Sequence, residues 1–330
     1  MKYNVMVSIP VHENLDVVKD QICNFKKYIL GVGIVIHISE KFHRQMKRFE
    51  DLEDIRDVFI NKEHINTNKK GIIYAHISNF KYVSGYCKFD YFIMHASNDM
   101  YVKKGITEYI YNYDAGFNIH KIICNSQWWP GNCALRDKQL IFLLKKNNLN
   151  NIVGTQVESS FYKTDLFGYI VKIIEESVPY EDVQLYYPRE EIYFSTIAYH
   201  VVNKDRIGYP TTFSEVHRFD RWLWKMRYLS WGIYHRMKME KLISRQKYDK
   251  FERWYYNILL NSKFYRITPC IVKKILSFDK YFLLRNRYLS DGRSTYQLYG
   301  DNIFAVKRVK RNVNDTLRKY INSLEESNEQ

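Results

Sequence analysis

Asp90 to Asp99, DYFIMHASND, is the stretch whose reading decides the fold. Tyr91 to Ala96 is a mostly apolar run that reads as a buried strand, and it passes straight into Ser97, Asn98 and Asp99. In open α/β sheets ligands bind outside the carboxyl ends of the strands, so a polar tip there is a candidate ligand contact. A strand that merely ends in a turn also finishes on Asn or Asp, because those side chains favour turns. Val5 to Pro10, VMVSIP, ends in the same way and meets Val11, His12, Glu13 and Asn14. Two strands delivering polar tips point to a crevice for a nucleotide or a nucleotide-sugar.

The segments around these strands alternate. Leu15 to Tyr28 has helical spacing, with Leu15, Val18, Ile22 and Phe25 on one face. Gly33 to Ser39 is the next strand, Phe42 to Phe49 a basic helix and Val58 to Ile60 a short strand. Gly71 to Ser84 reads as a helix. Strand, helix, strand, helix, strand is the order of a parallel sheet covered on both faces. Further on, Lys121 to Asn125 reads as a strand, and Leu135 to Lys146 and Thr164 to Glu176 as helices. Pro188 to His200 reads as a helix with Glu190 and Glu191 in its first turn. Arg221 to Leu260 is helical and amphipathic, Asn302 to Arg308 a strand, and Asn314 to Leu324 a terminal helix.

Composition narrows the class. The chain has 330 residues, 46% of them hydrophobic, which fits a packed core and excludes a disordered chain. No apolar run is long enough for a transmembrane helix, and the strand-like start is not a signal peptide. The five cysteines are scattered without a CxxC pair, against a structural zinc site or a disulfide framework and in favour of a reducing cytoplasm. The net charge of +15 is concentrated: residues 218–290 hold 18 Lys and Arg against 5 Asp and Glu. The same segment is rich in Trp and Tyr. It reads as a peripheral patch for an anionic membrane surface, as an acceptor platform, or as a packed helical subdomain with solvated charges. Basic residues interleaved with aromatics also fit single-stranded nucleic acid, the rival class.

Three groups could carry chemistry. A carboxylate at a helix start stays ionised and suits a general base, which singles out Glu190 and Glu191, although acidic pairs also begin many ordinary helices. Lys307, Arg308, Lys310 and Arg311 follow an apolar strand and could neutralise a diphosphate, or form a solvated basic face. Asn98-Asp99 supplies one acid where a metal-binding DxD would have two. The histidines are dispersed without metal spacing, with His37 and His95 read as core residues. No GxGxxG, Walker A or GxSxG sequence occurs.

The order of these segments resembles the core-2/I-branching β-1,6-N-acetylglucosaminyltransferase family, which includes peptide O-xylosyltransferases. VSIPVHEN and IVIHISEK stand where that family has its first two strands. Gly71 opens GIIYAHISNF, and Ser97, Asn98 and Asp99 fill its Ser-Gly-x-Asp tip. Gly154 to Ser160 occupies the acceptor segment, with Val157 in place of the family's Trp. PREEIYFST puts Thr196 five residues after Glu191, the spacing of the family's base. NIFAVKR matches its diphosphate motif with the Lys307–Arg308 pair displaced by one residue.

The resemblance implies a GT-A-like α/β fold: a mostly parallel central sheet flanked by helices, with a helical basic-aromatic C-terminal segment. It implies an inverting glycosyltransferase that moves GlcNAc or another UDP-linked sugar to a glycan hydroxyl, in bacterial surface polysaccharide or lipopolysaccharide synthesis. Glu191 is then the base, Lys307 and Arg308 hold the diphosphate, and Asp99, Asn98, His12 and Glu13 line the donor crevice. Glu158, Ser159 and Trp128 are the acceptor contacts. No metal and no other cofactor is expected. The expected partners are the nucleotide-sugar, a glycan or lipid-linked oligosaccharide and an anionic membrane surface, but not nucleic acid. The expected location is cytoplasmic, on the inner face of the cell membrane. The organisation expected is a catalytic core over 1–217, a basic insertion over 218–290 and a return segment over 291–330. A metal-dependent glycosyltransferase is the enzymatic alternative.

Overall fold

The computed structural model describes residues 2–12, 14–45, 50–67, 71–123, 129–177, 187–214, 237, 244, 267–286 and 294–324. Its strands are β1 (Lys2–Val11), β2 (Val32–Ile38), β3 (Val58–Ile60), β4 (Lys88–Met94), β5 (Met100–Tyr101), β6 (Ala115–Gly116), β7 (His120–Ile122), β8 (Ile152–Gly154), β9 (Phe161–Lys163), β10 (Ile207–Gly208), β11 (Thr212–Phe213) and β12 (Ala305–Val306). Seven of them form the central sheet in the order β10-β6-β9-β4-β1-β2-β3. β1 lies parallel to β2 and β4, and Val7 faces Ile34 on one side and Ile93 on the other. β9 runs antiparallel to both β4 and β6, so the sheet is mixed but mainly parallel.

The pleat of β1 sorts its side chains. Val5, Val7, Ile9 and Val11 pack with Val18, Ile22 and Phe25 of the helix Leu15–Tyr28 on one face. Met6 packs on the other, with Ile73, Ile77 and Phe80 of the helix Ile72–Ser84 and Phe167 of the helix Thr164–Ser177. This period-two division makes a strand buried on both faces read as one continuous apolar run. Fully burying side chains of this size gives about 1.5–3 kcal/mol each. Asn14 caps the first helix by accepting from the Asp16 N–H at 3.0 Å. Gly31 then turns the chain into β2 at φ +65°, where a Cβ would meet Asn4 Nδ2 at 2.7 Å.

Ser8 points from β1 into the helix face and is paired there: it lies 2.8 Å from His76 Nδ1 and accepts from Asn79 Nδ2 at 3.0 Å. Burial pushes His76 down to about 3, so the ring is neutral and free to accept the hydroxyl proton.

Gly116 is a second position that tolerates no side chain. A Cβ there would fall 2.0 Å from Phe161 Cε1 and 2.3 Å from Cζ, and the Phe161 ring is fully buried. Gly116→Ala is expected to cost about 1–3 kcal/mol by overpacking, read as a lower urea midpoint with an unchanged slope.

A smaller sheet, β11-β12-β5, joins a third core. Met100, Val102, Phe213 and Val306 pack there against Ile271, Val272 and Ile275 of the helix Pro269–Leu276 and Leu317 and Ile321 of the helix Thr316–Asn322.

Two expected elements differ. The single helix over Pro188–His200 is a 3-10 turn, Arg189–Glu191, followed by the helix Tyr193–Val201. Glu190 and Glu191 are therefore not in the first turn of an α-helix. The strand over Asn302–Arg308 shrinks to β12, because only Ala305 and Val306 find partners on both sides. The helix expected over Phe42–Phe49 is present in its described part, within Glu40–Gln45, and residues 46–49 lie outside the described residues. Apart from residues 237 and 244, the helix expected over 221–260 lies outside the described residues. Among the described residues no helix is long and apolar enough to cross a membrane.

Candidate functional site

The strand order reverses between β1 and β4, and the crevice of such a sheet lies outside the carboxyl ends at that point. β4 ends there in His95–Asp99. Gln21 clamps this tip by donating from Nε2 to the carbonyls of Ala96 at 2.8 Å and Asp99 at 2.9 Å. The Asp99 carboxyl turns inward and is fully buried. Its Oδ2 accepts from the Ala96 N–H at 3.0 Å and sits 3.1 Å from His95 Nδ1, while His95 Nε2 is 2.8 Å from the Tyr101 hydroxyl. Burial pushes Asp99 up, and the bond to His95 pulls it the other way. His95, just past the end of β4, thus orders the tip rather than merely filling the core. Asp99 does the same, instead of facing the crevice.

The C-terminal segment returns to the same place. β12 lies between β11 and β5, the strand that begins immediately after Asp99. Lys307 N–H donates to Phe213 O at 2.9 Å, and Val309 N–H to the carbonyl of Asn98 at 2.9 Å. Arg311 Nη2 reaches His12 Nε2 at 3.3 Å. His12, Asn98, Lys307, Arg308 and Arg311 are therefore gathered at one end of the sheet, although almost 300 residues separate the first from the last (|i−j| = 299).

Between them stands Glu158, in the turn that leads to β9. Its Oε1 lies 2.6 Å from Lys307 Nζ, with only 8% of the Glu158 side chain and 15% of the Lys307 side chain exposed. Ser159 is buried; its N–H donates to Met94 O at 2.8 Å and its hydroxyl pairs with Thr212 Oγ1. These two residues, expected at an acceptor surface, are held inside the site.

Glu190 and Glu191 approach from the 3-10 turn. Glu190 is buried, and burial pushes its carboxyl well above the usual range; neighbouring Glu191 and Glu158 push the same way and Lys307 opposes them. Glu191 is half-buried, and its main-chain carbonyl accepts from Thr155 N–H at 2.8 Å. Arg189, the first residue of the turn, is buried with Asp137: Nη2 lies 3.0 Å from Oδ2. The rings of Tyr187 and Tyr193 lie 5.9 and 5.4 Å from the guanidinium, and both hydroxyls donate to the same Asp137 oxygen. Asp137 and Arg189 carried no local sign of this role, since the contact spans the chain between two helices.

Glu13 and Trp128 lie outside the described residues. Among the described residues no group of three or more His, Cys, Asp and Glu is arranged to hold a metal ion. What the site offers a ligand is a run of cations, Lys307, Arg308 and Arg311, of which Lys307 faces the carboxylate of Glu158. Anionic groups suit the first, and a proton to be removed suits the second.

No family model and no curated protein matches this sequence. Among solved structures the chain is similar to S. aureus TarS, at 13% identity and a TM-score of 0.35 over 62% of this chain and 34% of that one. The chain thus spans about a third of TarS, an overlap that carries no function across.

Proposed function

We propose that this protein is an inverting glycosyltransferase with a GT-A-like arrangement, moving a sugar from a nucleoside-diphosphate donor, UDP-linked in this reading, to a glycan hydroxyl. The observation that carries the proposal is the convergence of Lys307 with Glu158, whose loop is bonded at Thr155 to the main chain of Glu191, beside the Asn98 tip that Val309 holds. Glu191 takes the proton of the acceptor hydroxyl as its oxygen attacks the anomeric carbon. The bond from that carbon to the diphosphate oxygen breaks on the opposite side, and the configuration inverts. Lys307 and Arg308, with Arg311 beside His12, stabilise the charge that builds on the leaving diphosphate. Asn98 and His12 border the donor. The basic excess of 218–290 supports contact with an anionic membrane surface, where a lipid-linked acceptor would lie.

Calorimetric titration with UDP, UMP and uridine tests this reading. UDP is expected to bind at least tenfold more tightly than uridine, and Arg308→Gln to remove most of that difference, as loss of one charge-assisted contact would. Equal affinity for UDP and uridine would end the proposal, as would no release of UDP from any UDP-sugar supplied with saccharide acceptors.

A further inference from the structure

The cation best placed for a diphosphate is already engaged. Lys307 Nζ is 2.6 Å from Glu158 Oε1. The acidic side of this pair is over-supplied: Glu158 Oε2, Asp99 Oδ1 and Glu190 Oε2 are all buried and have no hydrogen-bond partner among the described residues. The backbone on both sides of the pair is held in an unusual state. Ser159, next to Glu158, has φ +61°, and Arg308, next to Lys307, has φ +65°. Left-handed backbone is strained at a non-glycine residue and persists where the surroundings enforce it. Here main-chain bonds enforce it on each flank: Ser159 N–H to Met94 O, and Lys307 N–H to Phe213 O.

We propose that Glu158 is an internal competitor for the diphosphate. It holds Lys307 while the site is empty, yields the ammonium to an entering diphosphate, and takes it back as the product leaves. The proposal deepens the donor reading above, since it rests on Lys307 serving an anionic ligand. No bond is made or broken; one carboxylate and one phosphate oxygen exchange the same ammonium.

A carboxylate that only positioned Lys307 would aid anion binding, whereas a competitor opposes it. The two roles predict opposite signs. Removing one negative charge about 5 Å from a bound phosphate, at an effective dielectric near 20, is expected to tighten anion binding about tenfold after screening.

The test is titration of inorganic pyrophosphate and of UDP into the wild-type chain, Glu158→Gln and Glu158→Gln/Lys307→Gln. Each protein is first checked for cooperative melting, and Glu158→Thr replaces Glu158→Gln if that variant does not fold. The expected result is about tenfold tighter pyrophosphate and UDP binding in the single variant and loss of the gain in the double. Product release should slow in step with affinity, so turnover under saturating donor should fall. Unchanged or weaker pyrophosphate binding in Glu158→Gln overturns the proposal, as does absence of pyrophosphate binding in all three proteins. If pyrophosphate behaves as expected and UDP does not bind, the competitor stands and the nucleotide donor reading falls.

Discussion

Glu191→Gln is expected to lower kcat about 10²–10⁴-fold while leaving the dissociation constant for UDP within about threefold, because the lost function is proton removal in the transition state. The carboxamide keeps the shape of the side chain but cannot take a proton. The turn should survive, since the bond that fixes it at this position runs from Thr155 N–H to the main-chain carbonyl of residue 191. Glu190→Gln is the control. Glu190 is the more deeply buried of the two, and its folded-state pKa is raised by burial first and by Glu191 second. A raised folded-state value means that Glu190 favours the fold below its unfolded value and loses that contribution as pH rises through the folded one. A permanently neutral Gln escapes this loss, so Glu190→Gln should flatten the fall in stability above the ordinary carboxylate range and spare catalysis. Single-turnover rates of both variants across pH settle the assignment. Loss of the chemical step in Glu190→Gln but not in Glu191→Gln would move the base by one residue.

The parts of the fold that were legible are those with long periodic signals. β1, β2 and β4 declare themselves as continuous apolar runs because both faces are buried, and the helix Leu15–Tyr28 shows its stripe, its cap and its terminal lysines within one window. β6, β9 and β10 have two or three residues each, too few to display any period. Their pairing is imposed by the sheet into which they are inserted. The site divides in the same way. The polar tip of β4 was legible because a strand ends on it, and Lys307–Arg308 because charge follows an apolar run. The contact of Glu158 with Lys307 joins the turn before β9, in the central sheet, to the residue after β12, in the smaller one, and no local pattern encodes it. The tight turn at Pro188–Glu191 looks like helix in the sequence for a related reason. Two acids after a proline are the ordinary start of an α-helix, yet here Arg189 is drawn down to Asp137, and the chain makes one tight turn before the helix proper begins at Tyr193.

That buried contact is where the largest loss of stability is expected. Asp137→Ala should destabilise the protein by about 3–5 kcal/mol, the cost of leaving a buried charge without its partner. Asp137 serves both elements it touches. Oδ1 caps the helix Lys138–Lys146 by accepting from Gln139 N–H at 3.0 Å and Leu140 N–H at 3.4 Å. Oδ2 accepts from the Tyr187 hydroxyl at 2.7 Å and the Tyr193 hydroxyl at 2.9 Å, and faces Arg189. The Arg189 side chain is 1% exposed and has the Tyr74 hydroxyl beside it as well, but Asp137 is its nearest carboxylate and carries most of the compensation. Alanine removes the cap, two hydroxyl acceptors and the counter-charge together. Asp137→Asn keeps the cap through its one amide oxygen but loses the charge and the second acceptor, and should fall between wild type and alanine. Tyr193→Phe deletes one hydroxyl bond and should cost about 1 kcal/mol. Urea unfolding of the three variants orders them. A cost below about 1 kcal/mol for alanine would mean that Arg189 finds another partner, and the turn bearing Glu190 and Glu191 would then not depend on this anchor. If it does depend on it, Tyr193→Phe, as the mildest of the three, should lower kcat more than it weakens UDP binding, because a loosened turn misplaces the base while Lys307 and Arg308, held by the segment after β12, stay where they are.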